Sequence, residues 1–292
     1  MCVIIALKIL KYLTIGYQVI PFPDISPEIF SFNFLGIDFA LRWYALSYLL
    51  GFFFAIKIMK YFVTRQWLWI SGAPPLNVQQ VDVLFTYLIL GVILGGRLGY
   101  VLFYNFNYYL SDPIAIIRVW DGGMAFHGGF LGVCLAVIFY CQANNIPLSS
   151  VSDLIATASP PGLFLGRLAN FINAELWGRP TEQPWGVIFP GALAQTCEGV
   201  NGICARHPSQ LYEAILEGLL LFAILFVLAR KGAFRSPGLT TGVFALVYGL
   251  SRFFVEYFRV PDPQFFSITN PYGFAIGIGD YGMTMGQRFQ CP

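Results

Sequence analysis

The sequence predicts an all-α integral membrane protein, a polytopic bundle of about six helices carrying a small extracytoplasmic subdomain. Three observations lead there. Of 292 residues, 57% are hydrophobic and only 11% are charged, against roughly 25% charged in a soluble domain. The mean hydropathy of +0.66 means more apolar surface than one soluble core of this length can use, and a bilayer supplies the solvent for the rest. The 29 Phe and 16 Tyr residues suit spans ringed by interfacial aromatic belts. A net charge of +2 without a basic run offers nucleic acid nothing to bind.

Residues 1–26 form an N-terminal extension whose apolar start is interrupted by Lys8 and Lys11. Its charges do not come first and no small-residue cleavage site follows. It therefore reads as an interfacial helix or an over-extended start rather than a signal peptide. Six stretches then have the length to cross, at 43–63, 81–104, 124–142, 153–174, 211–230 and 239–258, each about 20 residues. Pro160-Pro161-Gly162 should kink or break the fourth of these. Residues 175–210, rich in Gly, Pro and charge, make the extramembrane subdomain. Lys57, Lys60 and Arg65 after the first span, with Arg230, Lys231 and Arg235 after the fifth, set one side as cytoplasmic. Arg42, Arg118, Arg179 and Arg206 then fall on the outer side, against that rule, and should have work to do there. Cys134 and Cys141 are expected to be buried and inert. Whether Cys197 and Cys204 pair depends on the side their loop faces.

Arg167 is the most informative residue. A guanidinium within an apolar span costs about 2.5–3.5 kcal/mol at the helix centre, so such charges mark function by default. Asn170, three residues on, points to the same side, and the pair is what a phospholipid phosphate would need. Arg252, Glu256 and Arg259 share one stripe of the last span, read either as an ion network or as a triad with one surplus positive charge that greets an anion. Arg97 sits among Gly95, Gly96 and Gly99, a helix-packing face, and is expected to pair with a carboxylate or phosphate. His127, between glycines at the outer start of the third span, can act as a base or merely bond between helices. Asp153 reads as the N-cap of the fourth span. His207 is a second base or, with Pro208 and Ser209, a fold-holding residue. Tyr44 begins the first span at the outer interface. No P-loop, metal cluster or nucleophile elbow is present in the sequence, so bases and cations must do the chemistry without a cofactor.

Taken together, Arg42-Trp43-Tyr44, Gly95 through Tyr104, Val119 through Gly129, Gly166 through Arg179, Arg206 through Glu213 and Tyr248 through Asp262 resemble the prolipoprotein diacylglyceryl transferase family of bacteria. The likeness covers about 27–264 in the family's order, and the Gly166–Arg179 run matches its signature. The resemblance implies a multi-pass enzyme of the inner membrane with its active site toward the outer leaflet. Such an enzyme moves the diacylglyceryl group of phosphatidylglycerol to the lipobox cysteine of a preprolipoprotein, releasing glycerol phosphate. It further implies that Arg167 and Arg252 hold the head group, supported by Asn170 and Tyr44. His127 then activates the thiol, Glu256 and Arg259 shape the site, and Gly178 is a tight backbone position. Family members run on past a Gly-Gln motif into a final span, so residues 265–292 are expected to be a truncated end with that span missing. The alternatives are an inactive homologue and a protein that binds or transports anionic lipid without turnover.

Overall fold

The computed structural model describes residues 19–34, 37–197, 202–260, 274–278 and 281–284. Most of the N-terminal extension and of the expected truncated end lies outside the described residues. Five helices are long and apolar enough to cross a membrane: α1 (Trp43–Val63), α2 (Val78–Phe103), α3 (Phe126–Ala143), α6 (Ser209–Arg230) and α7 (Leu239–Glu256). No more than 33% of any of these apolar segments is buried within the protein. Outward-facing side chains such as Leu94, Leu131, Leu135 and Leu250, all over half exposed, therefore need an apolar surrounding. The predicted fourth span is not one helix. It is α4 (Leu148–Ala158) followed by α5 (Pro160–Ile172), separated at Ser159 because Pro160 lacks the amide that would continue the ladder.

Small strands accompany the helices. β1 (Ile20–Pro21) pairs in parallel with β4 (Val187–Ile188), β2 (Glu28–Phe34) pairs antiparallel with β3 (Ile37–Arg42), and β5 (Phe274–Ile278) pairs with β6 (Tyr281–Thr284). Arg42 faces Glu28 across β2 and β3, 3.6 Å away.

The chain divides into two compact units. One comprises residues 53–159 and 224–243. Its core holds Phe62, Trp69, Leu84, Leu154 and Phe234, with Trp69 and Phe234 stacked at 4.3 Å. Glycines let α2 and α3 touch backbone to backbone. A Cβ on Gly95 would lie 2.4 Å from the Gly128 oxygen, and one on Gly132 would lie 2.1 Å from the Gly91 oxygen. This is the small-residue contact by which apolar helices associate in lipid. Asp153 does not cap its own helix, which starts five residues earlier. Fully buried, it caps α7 instead, accepting from the amides of Gly238 (2.6 Å) and Thr241 (2.8 Å).

Arg97 also departs from expectation. It is 4% exposed and gives all five of its N–H groups to backbone carbonyls. Nε donates to Ile116 (2.9 Å), Nη2 to Ala115 (2.6 Å) and Arg118 (2.9 Å), and Nη1 to Gly122 and to Gly123 (3.1 Å). The glycine-containing loop beside it offers carbonyls where the sequence suggested a carboxylate or phosphate. Arg118 itself pairs with Asp112.

The other unit comprises residues 1–52, 160–223 and 244–292. Gly51 and Gly162 bring α1 and α5 together, a Cβ on the former falling 3.0 Å from the Cα of the latter. The described part of 175–210 carries β4 and a short helix, Ala192–Gln195, and packs around Phe189, which meets Phe22, Phe171 and Trp177. Cys197 and Cys204 are disulfide-bonded, while Cys141 is buried and Cys134 half-buried.

Candidate active site

α5 carries Arg167 and Asn170 on one face and ends in a turn in which Ala174 (φ 52°) and Leu176 (φ 55°) both take the left-handed conformation. Non-glycine residues adopt it at a cost, and neighbours hold it here. Ser209 Oγ donates to the Leu176 carbonyl at 2.9 Å and Gln210 Nε2 donates to that of Glu175. The turn aims the Glu175 carboxylate at Asn170, whose Nδ2 donates to it at 2.8 Å and also to the Tyr44 hydroxyl. Burial raises the pKa of Glu175.

α6 starts at Ser209 after Pro208 and then widens into a π-helical segment, Ala214–Leu220, a distortion that recurs at functional sites. Gly218 lets α5 approach, since a Cβ there would fall 2.6 Å from the Phe164 Cβ. The approach seats Arg167 between two carboxylates of α6. Its Nε lies 3.1 Å from Glu213 Oε2 and its Nη2 lies 3.4 Å from Glu217 Oε2. Arg252 of α7 pairs with Glu213, lies 3.9 Å from Glu217 Oε1, and reaches Glu256 at 3.4 Å. Arg259 donates to Glu213 at 2.8 Å and lies 3.8 Å from Glu256.

Arg167, Arg252 and Arg259 thus meet Glu213, Glu217 and Glu256 in one cluster. Among the described residues the surplus positive charge of an Arg–Glu–Arg triad does not survive, because Arg167 and two glutamates of α6 join it and bring the cluster to balance. The carboxylates are 1%, 0% and 7% exposed. The arginine side chains stay 21%, 12% and 22% exposed. Among the described residues, Arg167 Nη1 and Arg259 Nη2 donate no hydrogen bond, so both remain able to meet an anion.

The segment around Gly178 fixes Arg259. Gly178 bridges Arg259, its amide donates to the His207 carbonyl (2.9 Å), and the Arg179 amide donates to that of Phe258 (2.8 Å). No side chain fits at Gly178, where a Cβ would fall 2.3 Å from the Phe258 oxygen. Arg206, 5% exposed, braces the segment by donating to the carbonyls of Ala194 (2.6 Å), Thr196 (2.9 Å) and Gly178 (3.3 Å). His207 Nδ1 lies 3.0 Å from the Tyr212 hydroxyl, its ring edges against Tyr212 and Phe258, and burial lowers its pKa. These are the contacts expected of a fold-holding histidine. His127 belongs to the other unit, at the first turn of α3, exposed and edge-on to Phe126.

Residues 31–291 match the family model described as prolipoprotein diacylglyceryl transferase. The chain belongs to the prolipoprotein diacylglyceryl transferase family. It is 58% identical over 274 residues to a phosphatidylglycerol–prolipoprotein diacylglyceryl transferase of Cereibacter sphaeroides, covering 94% of each chain. Against relatives of the same name it is 57% identical over 275 residues in Ruegeria pomeroyi (94% of this chain, 93% of that one) and 43% over 278 residues in Bradyrhizobium diazoefficiens (94% and 90%). Within this transferase family frame, the structure brings Arg167, Asn170, Tyr44, Arg252, Glu256 and Arg259 into one unit, with Gly178 beneath Arg259. Sequence reasoning missed Glu217 and gave Glu213 no role. Two carboxylates four apart in a membrane-length apolar helix were the available signal.

Proposed function

We propose that this protein transfers the diacylglyceryl group of phosphatidylglycerol to the lipobox cysteine of prolipoproteins in the bacterial inner membrane, working at the outer leaflet. The observation that carries the reading is the half-open arginine cluster, in a chain so similar to relatives bearing that name. The cysteine sulfur attacks the glyceryl carbon, a C–S bond forms, and the C–O bond to phosphate breaks. The thiol proton passes to a base and glycerol phosphate leaves. Arg167 and Arg252 hold the phosphate and stabilise the charge that grows on it, an effect strongest where water is excluded. Asn170 and Tyr44 keep the head group in register, and Glu256 and Arg259 shape the pocket.

His127 is the proposed base. A thiol with an ordinary pKa of about 8.5 is mostly protonated at neutral pH, so removing its proton accelerates attack. The test is transfer of labelled diacylglycerol from phosphatidylglycerol to a lipobox peptide. The expected result is turnover by the unmodified chain, lost in Arg167→Ala. Lipid binding without any transfer would favour the anionic-lipid-binding alternative. A His127→Gln variant at full rate would remove that residue as the base.

A further inference from the structure

Among the described residues the ion cluster is balanced before any lipid arrives, with three guanidiniums against three carboxylates. A phosphodiester entering beside Arg167 and Arg252 adds a negative charge next to carboxylates almost wholly buried. Buried charge without compensation is costly. Arginine cannot answer it, being already protonated. A carboxylate can, by taking a proton.

The three carboxylates are not equivalent. Glu213 is held by all three arginines, at 3.1 Å from Arg167, 2.8 Å from Arg259 and in contact with Arg252. Glu256 sits nearest the rim, its side chain 9% exposed. Glu217 is the most deeply buried of the three, and its pairings are long, 3.4 Å to Arg167 and 3.9 Å to Arg252, much as those of Glu256 are at 3.4 and 3.8 Å. Glu217 Oε1 accepts no hydrogen bond, and neither does Glu213 Oε2. The groups that act on Glu217 are Arg167 from α5, Glu213 from its own helix, and Arg252 and Tyr248 from α7. A phosphate that draws Arg167 and Arg252 to itself leaves Glu217 beside the like charge of Glu213 with its weak pairings weakened further.

We propose that Glu217 takes up one proton when the cluster receives a lipid phosphate, so that capture of the anionic head group is coupled to proton uptake. The proton comes from bulk water on binding and returns there when the phosphate leaves. Glu217 acts through the arginines and is a positioning residue, not a catalytic one. The inference rests on the reading of the arginine cluster as the head-group site.

Calorimetric titration of the full chain in detergent micelles with short-chain phosphatidylglycerol tests it. Running it near neutral pH in two buffers of different ionisation enthalpy counts the protons directly. The expected result is close to one proton taken up per lipid, with affinity weakening by up to about tenfold per pH unit as pH rises. Glu217→Gln should bind at least as tightly, with uptake near zero and little pH dependence. Glu217→Asp should keep the uptake, which guards against a variant that merely misfolds. No uptake by the unmodified chain, or undiminished uptake by Glu217→Gln, would overturn the proposal. Uptake on binding without diacylglyceryl transfer to a lipobox peptide leaves the coupling standing and removes the transferase reading. Transfer without uptake does the reverse.

Discussion

Arg97 and Arg167 are both guanidiniums carried into apolar helices, and the protein satisfies them by opposite means. Arg97 spends every N–H on backbone carbonyls of a loop that wraps it. Arg167 is met by side-chain carboxylates and keeps one terminal nitrogen uncommitted. A saturated arginine has no capacity left for a ligand, so it holds the fold. An arginine balanced by carboxylates and open on one side can exchange part of that partnership for a phosphate. Charge in an apolar span thus marks function only after its hydrogen bonds are counted.

Replacing each arginine should separate the two roles. Arg167→Ala should lower diacylglyceryl transfer on the order of a thousandfold, the scale of losing a donor that stabilises transition-state charge. Arg167→Lys should recover little, since a single ammonium cannot span Glu213, Glu217 and a phosphate as a planar fork does. Arg97→Ala should do the opposite. It orphans several carbonyls and destabilises the protein by on the order of 4 kcal/mol, read as a lower melting temperature in detergent. Transfer per folded molecule should stay within about twofold, well under 1 kcal/mol. A selective loss of rate in Arg97→Ala at unchanged melting temperature would erase the distinction.

How much of this was legible in the sequence follows the same division. Arg167 and Asn170, the glycine face of α2 and the break at Pro160 were visible because each rests on local chemistry: a charge in an apolar run, a missing side chain, a missing amide. The cage of Arg97 was not visible, because its acceptors are backbone carbonyls that every residue has. Asp153 was visible as a cap but not as a cap for α7, far along the chain. The fourth helical region was predicted as a span, yet its two pieces are 11 and 13 residues long. Glu213 and Glu217 escaped because their meaning lies in which arginines face them, which spacing along α6 does not state.

Glycine positions sharpen the comparison at a smaller scale. Gly178→Ala should force the Phe258 carbonyl away, loosen the bridge that sets Arg259, and cost about 1–3 kcal/mol by overpacking. Transfer should fall alongside. Gly166 lies in the same signature run, but a Cβ there meets nothing within 4 Å. Gly166→Ala should hold or raise the melting temperature, by up to about 1 kcal/mol of helix stability. Equal losses in both variants would mean that the backbone pairing at Gly178 is not what positions Arg259.

The smallest effect concerns His207, whose neighbours are aromatic rings and a tyrosine hydroxyl where those of the arginine cluster are carboxylates. Burial lowers its pKa in the folded protein, while in the unfolded chain it titrates near the usual value of about 6.5. The unfolded state therefore binds a proton that the folded state resists. The stability is fully present above the unfolded value and is lost as pH falls through it toward the folded one. Melting temperature should accordingly drop more steeply between neutral pH and mild acid in the unmodified protein than in His207→Gln. Gln still offers Tyr212 a hydrogen bond but cannot take the proton. A difference of about 2 °C is the scale to look for. If the two acid profiles superimpose, His207 is not held neutral by the fold, and its packing against Tyr212 and Phe258 is looser than the ring distances of 5.9 and 5.0 Å imply.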